Sequence, residues 1–189
     1  MKTISSFAVS LLLLASTSLV ASDAMKERVV SKADMHHAAE AITAIQKQDP
    51  SIKKFFDKSC AYVIYPSVGE GALIVGGAHG KGLVYEKGSD GQFSLVGYSE
   101  LTKVSAGLQA GGQSYREIVF FENKTAFADL KKGKAQLSAQ ASGVALKRGS
   151  ASEAAYKDGV AVFLMPKKGV MGELSVGSQQ MSYERAKRK

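Results

Sequence analysis

Cysteine is almost absent from this chain of 189 residues, whose only thiol is that of Cys60. A single thiol cannot form a disulfide within the chain, even in an oxidising compartment. It also stands too far along the chain to carry the acyl groups of a lipoprotein, which attach to a cysteine at the cleavage point. Cys60 begins an apolar stretch that runs to Tyr65, and we expect it to be a buried, unreactive side chain.

Candidate metal ligands and nucleophiles are also scarce. His36 and His37 are adjacent on a predicted helix, so they point about 100° apart and cannot bind one metal ion as an i, i+4 pair would. No Gly-x-Ser-x-Gly motif presents a serine as a nucleophile. Glu70 and Glu173 lie beside glycines, where solvated carboxylates are expected. We therefore expect no metal, no cofactor and no catalytic residue.

The glycine-rich segment 76–82 lacks the spacing of a nucleotide-binding loop. A P-loop has a glycine five residues before its Gly-Lys pair and a serine or threonine after it, whereas this chain has Val75 and Gly82 at those positions. The segment is instead typical of a tight β-turn between two strands, with His79 on the turn. Ser67 is likewise expected to be a turn residue.

The first two dozen residues have the pattern of a secretory signal peptide. Lys2 is followed by an apolar run from Phe7 to Val20, and small residues close the segment. The run is shorter than the stretch of about 20 apolar residues that spans a bilayer. We expect residues 1–24 to be a cleaved signal peptide and residues 25–189 to be one exported domain with a short basic C-terminal tail.

Positive charge is in excess, with 25 lysines and arginines against 17 acidic residues, a net charge of +8. Residues 1–24 contain one lysine and one aspartate, so the remaining chain keeps that charge. An excess of this size favours acidic partners such as phospholipid headgroups, lipopolysaccharide or nucleic acid. The hydrophobic fraction of 45% is enough to form a core.

Two helices are predicted near the start of the domain. Apolar residues recur at helical spacing over 31–48, and Asp49 and Pro50 end this helix. Ser51 is the expected cap of a second, short helix whose apolar face is formed by Ile52, Phe55 and Phe56. One further helix is predicted over 125–132, capped by Asn123 and ended by Gly133.

Elsewhere the sequence pattern is typical of antiparallel strands, with short β-branched and aromatic runs separated by glycines. The predicted strands cover residues 61–65, 72–78, 82–87, 93–99, 104–110, 115–121, 159–165 and 170–177, with a hairpin turn at 89–91. Glycines such as Gly76 and Gly107 recur within these strands, as expected where a sheet bends sharply. The fold class is therefore α+β, a strongly curved, barrel-like antiparallel sheet with N-terminal helices and one further helix.

Basic clusters are the remaining candidates for function. Lysines on the predicted second helix flank its two phenylalanines, as in amphipathic helices that lie at a membrane surface. Each lysine near an anionic surface contributes about 1 kcal/mol to binding. Other clusters lie at 131–134 and 167–168. The candidate lipid-binding residues are Lys53, Lys54, Phe55, Phe56, Lys58, Arg185, Lys187, Arg188 and Lys189.

Four segments, in order, resemble the SYLF domain: Tyr65-Pro66-Ser67-Val68-Gly69, then 74–77 with Gly80-Lys81-Gly82, then 107–113, and then 168–172. The likeness extends from Ala33 to about Tyr183. It implies a lipid-binding domain without catalytic residues. Eukaryotic relatives bind phosphoinositides, and bacterial relatives are envelope proteins. The chain departs from the pattern in having Phe93 where many members have tryptophan.

The expected function is peripheral binding of anionic phospholipid by a non-enzymatic periplasmic protein. The alternative is an interaction or structural module that binds another envelope protein or an acidic polymer such as lipopolysaccharide. Nucleic acid is not expected as a partner, because export removes the chain from it. A hydrolase would need His79 to meet a carboxylate in a pocket, which the sequence alone does not indicate.

Overall fold

The computed structural model describes residues 27–71, 75–106, 113–133, 136–137, 143–168 and 178–187. The predicted signal peptide and the predicted strand over 170–177 lie outside these residues. Within them the fold is mixed α+β. The helices are α1 (Lys32–Gln48), α2 (Lys53–Lys58), α3 (Lys124–Lys131) and α4 (Ser150–Glu153), and a 3-10 turn (Pro50–Ile52) precedes α2.

Ten strands in the described ranges form one sheet. They are β1 (Glu27–Val29), β2 (Ala61–Gly71), β3 (Val75–Lys87), β4 (Phe93–Ala106), β5 (Gln113–Phe121), β6 (Gln136–Leu137), β7 (Val144–Ala145), β8 (Val160–Lys168), β9 (Ser178–Met181) and β10 (Glu184–Lys187). The strand order is β1-β10-β4-β3-β2-β5-β8-β7, and β9 pairs with both β4 and β6. The central pairs are antiparallel, whereas β1 pairs with β10 and β7 with β8 in parallel. The described strands do not close into a ring, so the barrel-like form is not confirmed.

Local sequence signals explain α1 and α3. Ser31 and Asp34 form a capping box at the start of α1, in which the Ser31 hydroxyl accepts from the Asp34 amide and the Asp34 carboxylate accepts from the Ser31 amide. Asn123 caps α3, as predicted, and Phe127 and Leu130 of this helix are buried. Both helices therefore follow from their caps and apolar spacing.

The cap of the short helical segment was predicted incorrectly. Asp49, rather than Ser51, is the capping residue, because its carboxylate accepts hydrogen bonds from the Ser51 amide and hydroxyl. The same carboxylate also accepts from the Ala151 amide at 2.8 Å. Burial raises the pKa of Asp49, but these hydrogen bonds bring it below its ordinary value. Asp49 therefore ties the 3-10 turn to α4.

Strands β3 and β4 are each longer than predicted. The segment around His79 continues β3 without a turn, because β2 and β4 pair with it on both sides. Residues 93–106 likewise form one strand rather than two. The hairpin turn before β4 is as predicted, with Gly91 at a φ of 77°. Glycines in β3 were thus mistaken for turn residues.

Two apolar clusters cover the two faces of the sheet. One face packs under α1, α2 and α4 and includes Ile45, Phe55, Phe120 and Phe163. The opposite face packs against α3, and its cluster includes Tyr65, Val119, Phe127, Leu130 and Met181. Cys60 is half-buried against this second cluster, and burial raises the pKa of its thiol.

Candidate functional site

The structure contradicts the predicted role of Phe55. Its side chain is 1% exposed, and its ring lies 4.7 Å from that of Phe163 and 5.0 Å from that of Tyr156, centroid to centroid. A ring in these contacts belongs to the core and cannot enter a membrane without unfolding the segment. Phe55 is therefore a core residue of the α2 face, not a lipid contact.

Phe56 is also engaged in packing. Its half-buried ring makes edge-to-face contacts with Phe120 at 4.8 Å and with Tyr62 at 5.2 Å. The apolar face of α2 thus points to the sheet rather than to solvent. The prediction that this helix presents an exposed aromatic pair is wrong for Phe55, and Phe56 has only part of its surface available.

The lysines of α2 differ in their availability. Lys53 donates to both carboxylate oxygens of Asp57 at 2.7 Å. The Lys54 ammonium donates to the backbone carbonyls of Ser152 and Ala154. Lys58 is exposed. Two of the three predicted cationic contacts therefore have intramolecular partners.

The C-terminal cations lie on another element. Arg185 and Lys187 are exposed on β10, which pairs with β1 and β4. Arg188 and Lys189 lie outside the described residues. Sequence proximity grouped these four residues into one tail, but the first two belong to a paired strand of the sheet.

A cleft of about 460 Å³ separates α1 from the exposed end of the sheet. Cationic side chains of three strands line one wall, and polar residues in the first half of α1 line the other. The lining residues are Asp34, His37, Glu40, Ala41, Pro66, Ser67, His79, Gly80, Lys81, Gly82, Leu83, Tyr98, Arg116 and Lys167. Its volume is in the range of about 300–1,000 Å³ that is usual for small-ligand sites.

Strand alternation directs two side chains of β3 into the cleft. His79 and Lys81 are two residues apart on β3, so their side chains lie on the face that α1 covers. Gly80 and Gly82 occupy the opposite face, where a β-carbon at Gly82 would lie 2.5 Å from the Tyr65 ring. The glycines therefore make room for core rings, while the residues between them face the cleft.

Arg116 and Lys167 complete the cationic wall from β5 and β8. Arg116 is half-buried and shares the strand face of Ile118 and Phe120, which pack under α1 and α2. Partial burial and then the nearby Arg116 guanidinium lower the pKa of Lys167. The cleft therefore places two positive charges close together, an arrangement that an anion would stabilise.

A β-bulge in β2 shapes the floor of the cleft. The register shifts at Pro66 against both neighbouring strands, so Tyr65 and Val68 are buried on the same face although they are three residues apart. Pro66 and Ser67 line the cleft instead. Proline has no amide hydrogen to donate, which explains why it stands at a bulge in a central strand. Ser67 is thus a bulge residue and not a turn residue.

Tyr98 supplies a further polar group beside the cationic wall. It lines the cleft, is 3% exposed, and its hydroxyl has no hydrogen-bond partner within the described ranges. Burial raises the pKa of Tyr98 to about 12, so the hydroxyl keeps its proton at neutral pH. The Arg28 guanidinium stacks on its ring at 3.8 Å. A buried hydroxyl without a partner is unusual in a folded protein.

The helix wall of the cleft carries Asp34, His37 and Glu40, which lie on one side of α1. One oxygen of Asp34 accepts from Ser31, and Glu40 lies 3.4 Å from the imidazole of His36. No three histidine, cysteine or acidic side chains in the described residues are grouped so that they could hold a metal ion. The carboxylates of this wall are suited to a cationic or hydrogen-bonding group.

A second polar cluster lies inside the other face of the sheet. Glu117 is fully buried, and Gln179 donates to one of its carboxyl oxygens. Burial raises the pKa of Glu117 to about 7, although Gln179 and the positive charge of Lys103 oppose the shift. Its second oxygen has no partner among the described residues. The surroundings therefore favour the neutral acid.

The cleft was missed because its cations are distant in sequence. Lys81 and Arg116 are 35 positions apart, and neither has another lysine or arginine beside it in the sequence. Strand alternation gave a usable signal: Arg116 is a lone cation in a strand whose residues 117–121 are buried, and Lys81 stands between two glycines. Among the described residues of the basic clusters noted in the sequence, Lys167 lines the cleft.

Comparison with known proteins adds no family assignment. No family model matches the chain, and a search of curated proteins gives no match. The resemblance to the SYLF domain therefore stays a prediction. None of the helices within the described ranges has the length and apolar character needed to cross a bilayer.

Proposed function

We propose that this protein is exported to the bacterial envelope and binds anionic phospholipid headgroups at a membrane surface through the cleft beside α1. The observation that carries the proposal is the cationic wall of that cleft. Lys81, Arg116 and Lys167 converge there from three strands, and none has an ion pair with another described residue. A phosphate is the natural partner of such a cluster.

The surroundings of the wall support a headgroup site. Tyr98 adds a hydroxyl that keeps its proton and has no described partner. The net charge of +8 attracts the whole protein to an anionic surface, and added salt screens that attraction. The resemblance to the SYLF domain points in the same direction. Binding by insertion of α2 is not part of the proposal, because its aromatic face is packed against the sheet.

Vesicle flotation tests the proposal. The protein, purified from the envelope of bacteria that express the full chain, is expected to float with phosphatidylglycerol vesicles at low salt and not with phosphatidylcholine vesicles. The double variant Lys81→Gln with Arg116→Gln is expected to bind about 25-fold more weakly, at about 1 kcal/mol for each cation. Circular dichroism confirms that the variant is folded.

A matched variant distinguishes the contribution of the cleft to binding from the contribution of net charge. Lys124→Gln with Lys132→Gln removes the same charge from exposed positions on and just after α3. It is expected to bind nearly as the wild type does. An equal loss in both double variants would refute the cleft as the site, and absence of flotation of the wild type would refute phospholipid binding altogether.

A further inference from the structure

The two walls of the cleft carry opposite charge. The sheet wall presents Lys81, Arg116 and Lys167, while the helix wall presents the carboxylates of Asp34 and Glu40. Both carboxylates belong to exposed residues on the same side of α1. A site for a phosphate alone would gain nothing from acidic side chains, since they repel the anion.

These charges do not neutralise one another across the cleft. The ion pairs among the described residues include none between the two walls. The described contacts of Asp34 are to Ser31 within its own capping box, and Glu40 faces His36 on its own helix. The gap is therefore wide enough to keep the walls apart and leaves both sets of charges available to a ligand that spans it.

We propose that the cleft recognises a phosphate headgroup that also carries a primary ammonium group, as in phosphoethanolamine. The phosphate lies against the cations of the sheet wall, where the Tyr98 hydroxyl is a nearby donor. The ammonium donates to the carboxylates of Asp34 and Glu40. This inference rests on the proposed function: the cations of the sheet wall take the phosphate of either headgroup, and the ammonium of the zwitterionic headgroup adds contacts with the helix wall.

Charge and hydrogen bonding together favour this ligand class. An ammonium group donates up to three hydrogen bonds, and carboxylates accept them strongly. A glycerol phosphate headgroup offers hydroxyls but no positive charge, so it leaves the helix wall unpaired. A choline headgroup is positive but has no N–H to donate. The cleft is therefore expected to prefer the primary amine over both.

Two vesicle preparations with the same fraction of phosphatidylglycerol test the preference. One is diluted with phosphatidylethanolamine and the other with phosphatidylcholine, and flotation of the full protein is compared. Binding to the first is expected to be about threefold to fivefold tighter, in line with one or two exposed charge pairs. Soluble phosphoethanolamine is expected to compete better than glycerol 3-phosphate.

Glu40→Gln is the decisive variant, because Asp34 also caps α1 and its loss would disturb the helix. The variant is expected to lose the preference for phosphatidylethanolamine while still binding phosphatidylglycerol. Glu153→Gln removes a matched exposed carboxylate from α4, outside the cleft, and is expected to keep the preference. A preference that persists in Glu40→Gln would come from membrane packing and would overturn the inference.

The remaining outcomes distinguish the two proposals. Equal binding to both preparations, with flotation on phosphatidylglycerol intact, overturns the amine preference and leaves the proposed function standing. Binding of free phosphoethanolamine without any flotation supports the chemistry of the site and refutes the membrane as its source. Failure of both flotation and competition refutes both proposals.

Discussion

The buried Glu117 predicts a specific dependence of stability on pH. Its pKa in the folded protein is about 7, against the usual 4.5, because burial favours the neutral acid. The folded state therefore holds this proton more tightly than the unfolded state does. As the pH rises from about 4.5 to about 7, the unfolded state releases its proton first, so the free energy of unfolding falls.

The size of the effect follows from the two pKa values. At about 1.4 kcal/mol for each pH unit, their difference corresponds to about 3 kcal/mol. Glu117→Gln keeps the shape of the side chain and removes the titration. We expect the variant to match the wild type within about 1 kcal/mol at pH 4.5 and to exceed its stability by about 3 kcal/mol at pH 8.

Urea denaturation at the two pH values measures the difference. Titrating groups that do not face Glu117 are common to both proteins and cancel in the comparison. Glu122→Gln, at an exposed position one residue after β5, is the control and is expected to show no such pH-dependent gain. A gain for Glu117→Gln that is the same at both pH values would refute the reasoning, because it would show that the carboxyl does not titrate between them.

Further predictions test the packing of the core and the role of α2. Gly82→Ala places a β-carbon 2.5 Å from the Tyr65 ring and is expected to lower the free energy of unfolding, measured by urea titration, by about 1–3 kcal/mol. Gly69→Ala is the control, because a β-carbon there has no atom within 4 Å. It is expected to change the free energy of unfolding by less than about 1 kcal/mol. Phe55→Ala is expected to lower the free energy of unfolding by about 3–5 kcal/mol. Lys58→Gln leaves the core intact and is expected to bind phosphatidylglycerol vesicles as the wild type does. A strong loss of flotation in Lys58→Gln would show that α2 belongs to the binding surface.

The helices α1 and α3 were predictable because their signals are local. A capping residue, a recurring apolar spacing and a terminating glycine or proline lie within one short segment in each case. The apolar face of α2 was equally visible in the sequence, but what this face packs against was not. Phe55 packs on Phe120 and Phe163, which lie 65 and 108 positions further along, so the sequence did not tell a core contact from a membrane contact.

The strands were harder to delimit for a related reason. Glycine within β3 resembles a turn when it is read alone, whereas it is required there by the ring of Tyr65 on the neighbouring strand. The cleft depends on the same kind of information. Strand pairing brings Lys81, Arg116 and Lys167 to the same cleft, and their spacing along the chain does not predict it.

The bulge at Pro66 has a consequence for how this chain tolerates changes of length. Before it, odd-numbered residues such as Val63 point to one face of the sheet, and after it Val68 does so. The bulge holds one residue more than each neighbouring strand, so loss of a single residue at this point would leave Tyr65 and Val68 two positions apart and still on the same face. Loss of a residue from a regular part of β2 would instead exchange the faces of everything that follows it in the strand. We therefore expect a change of one residue in length to be tolerated at the bulge and at the turn 89–91, but not in the regular parts of β2.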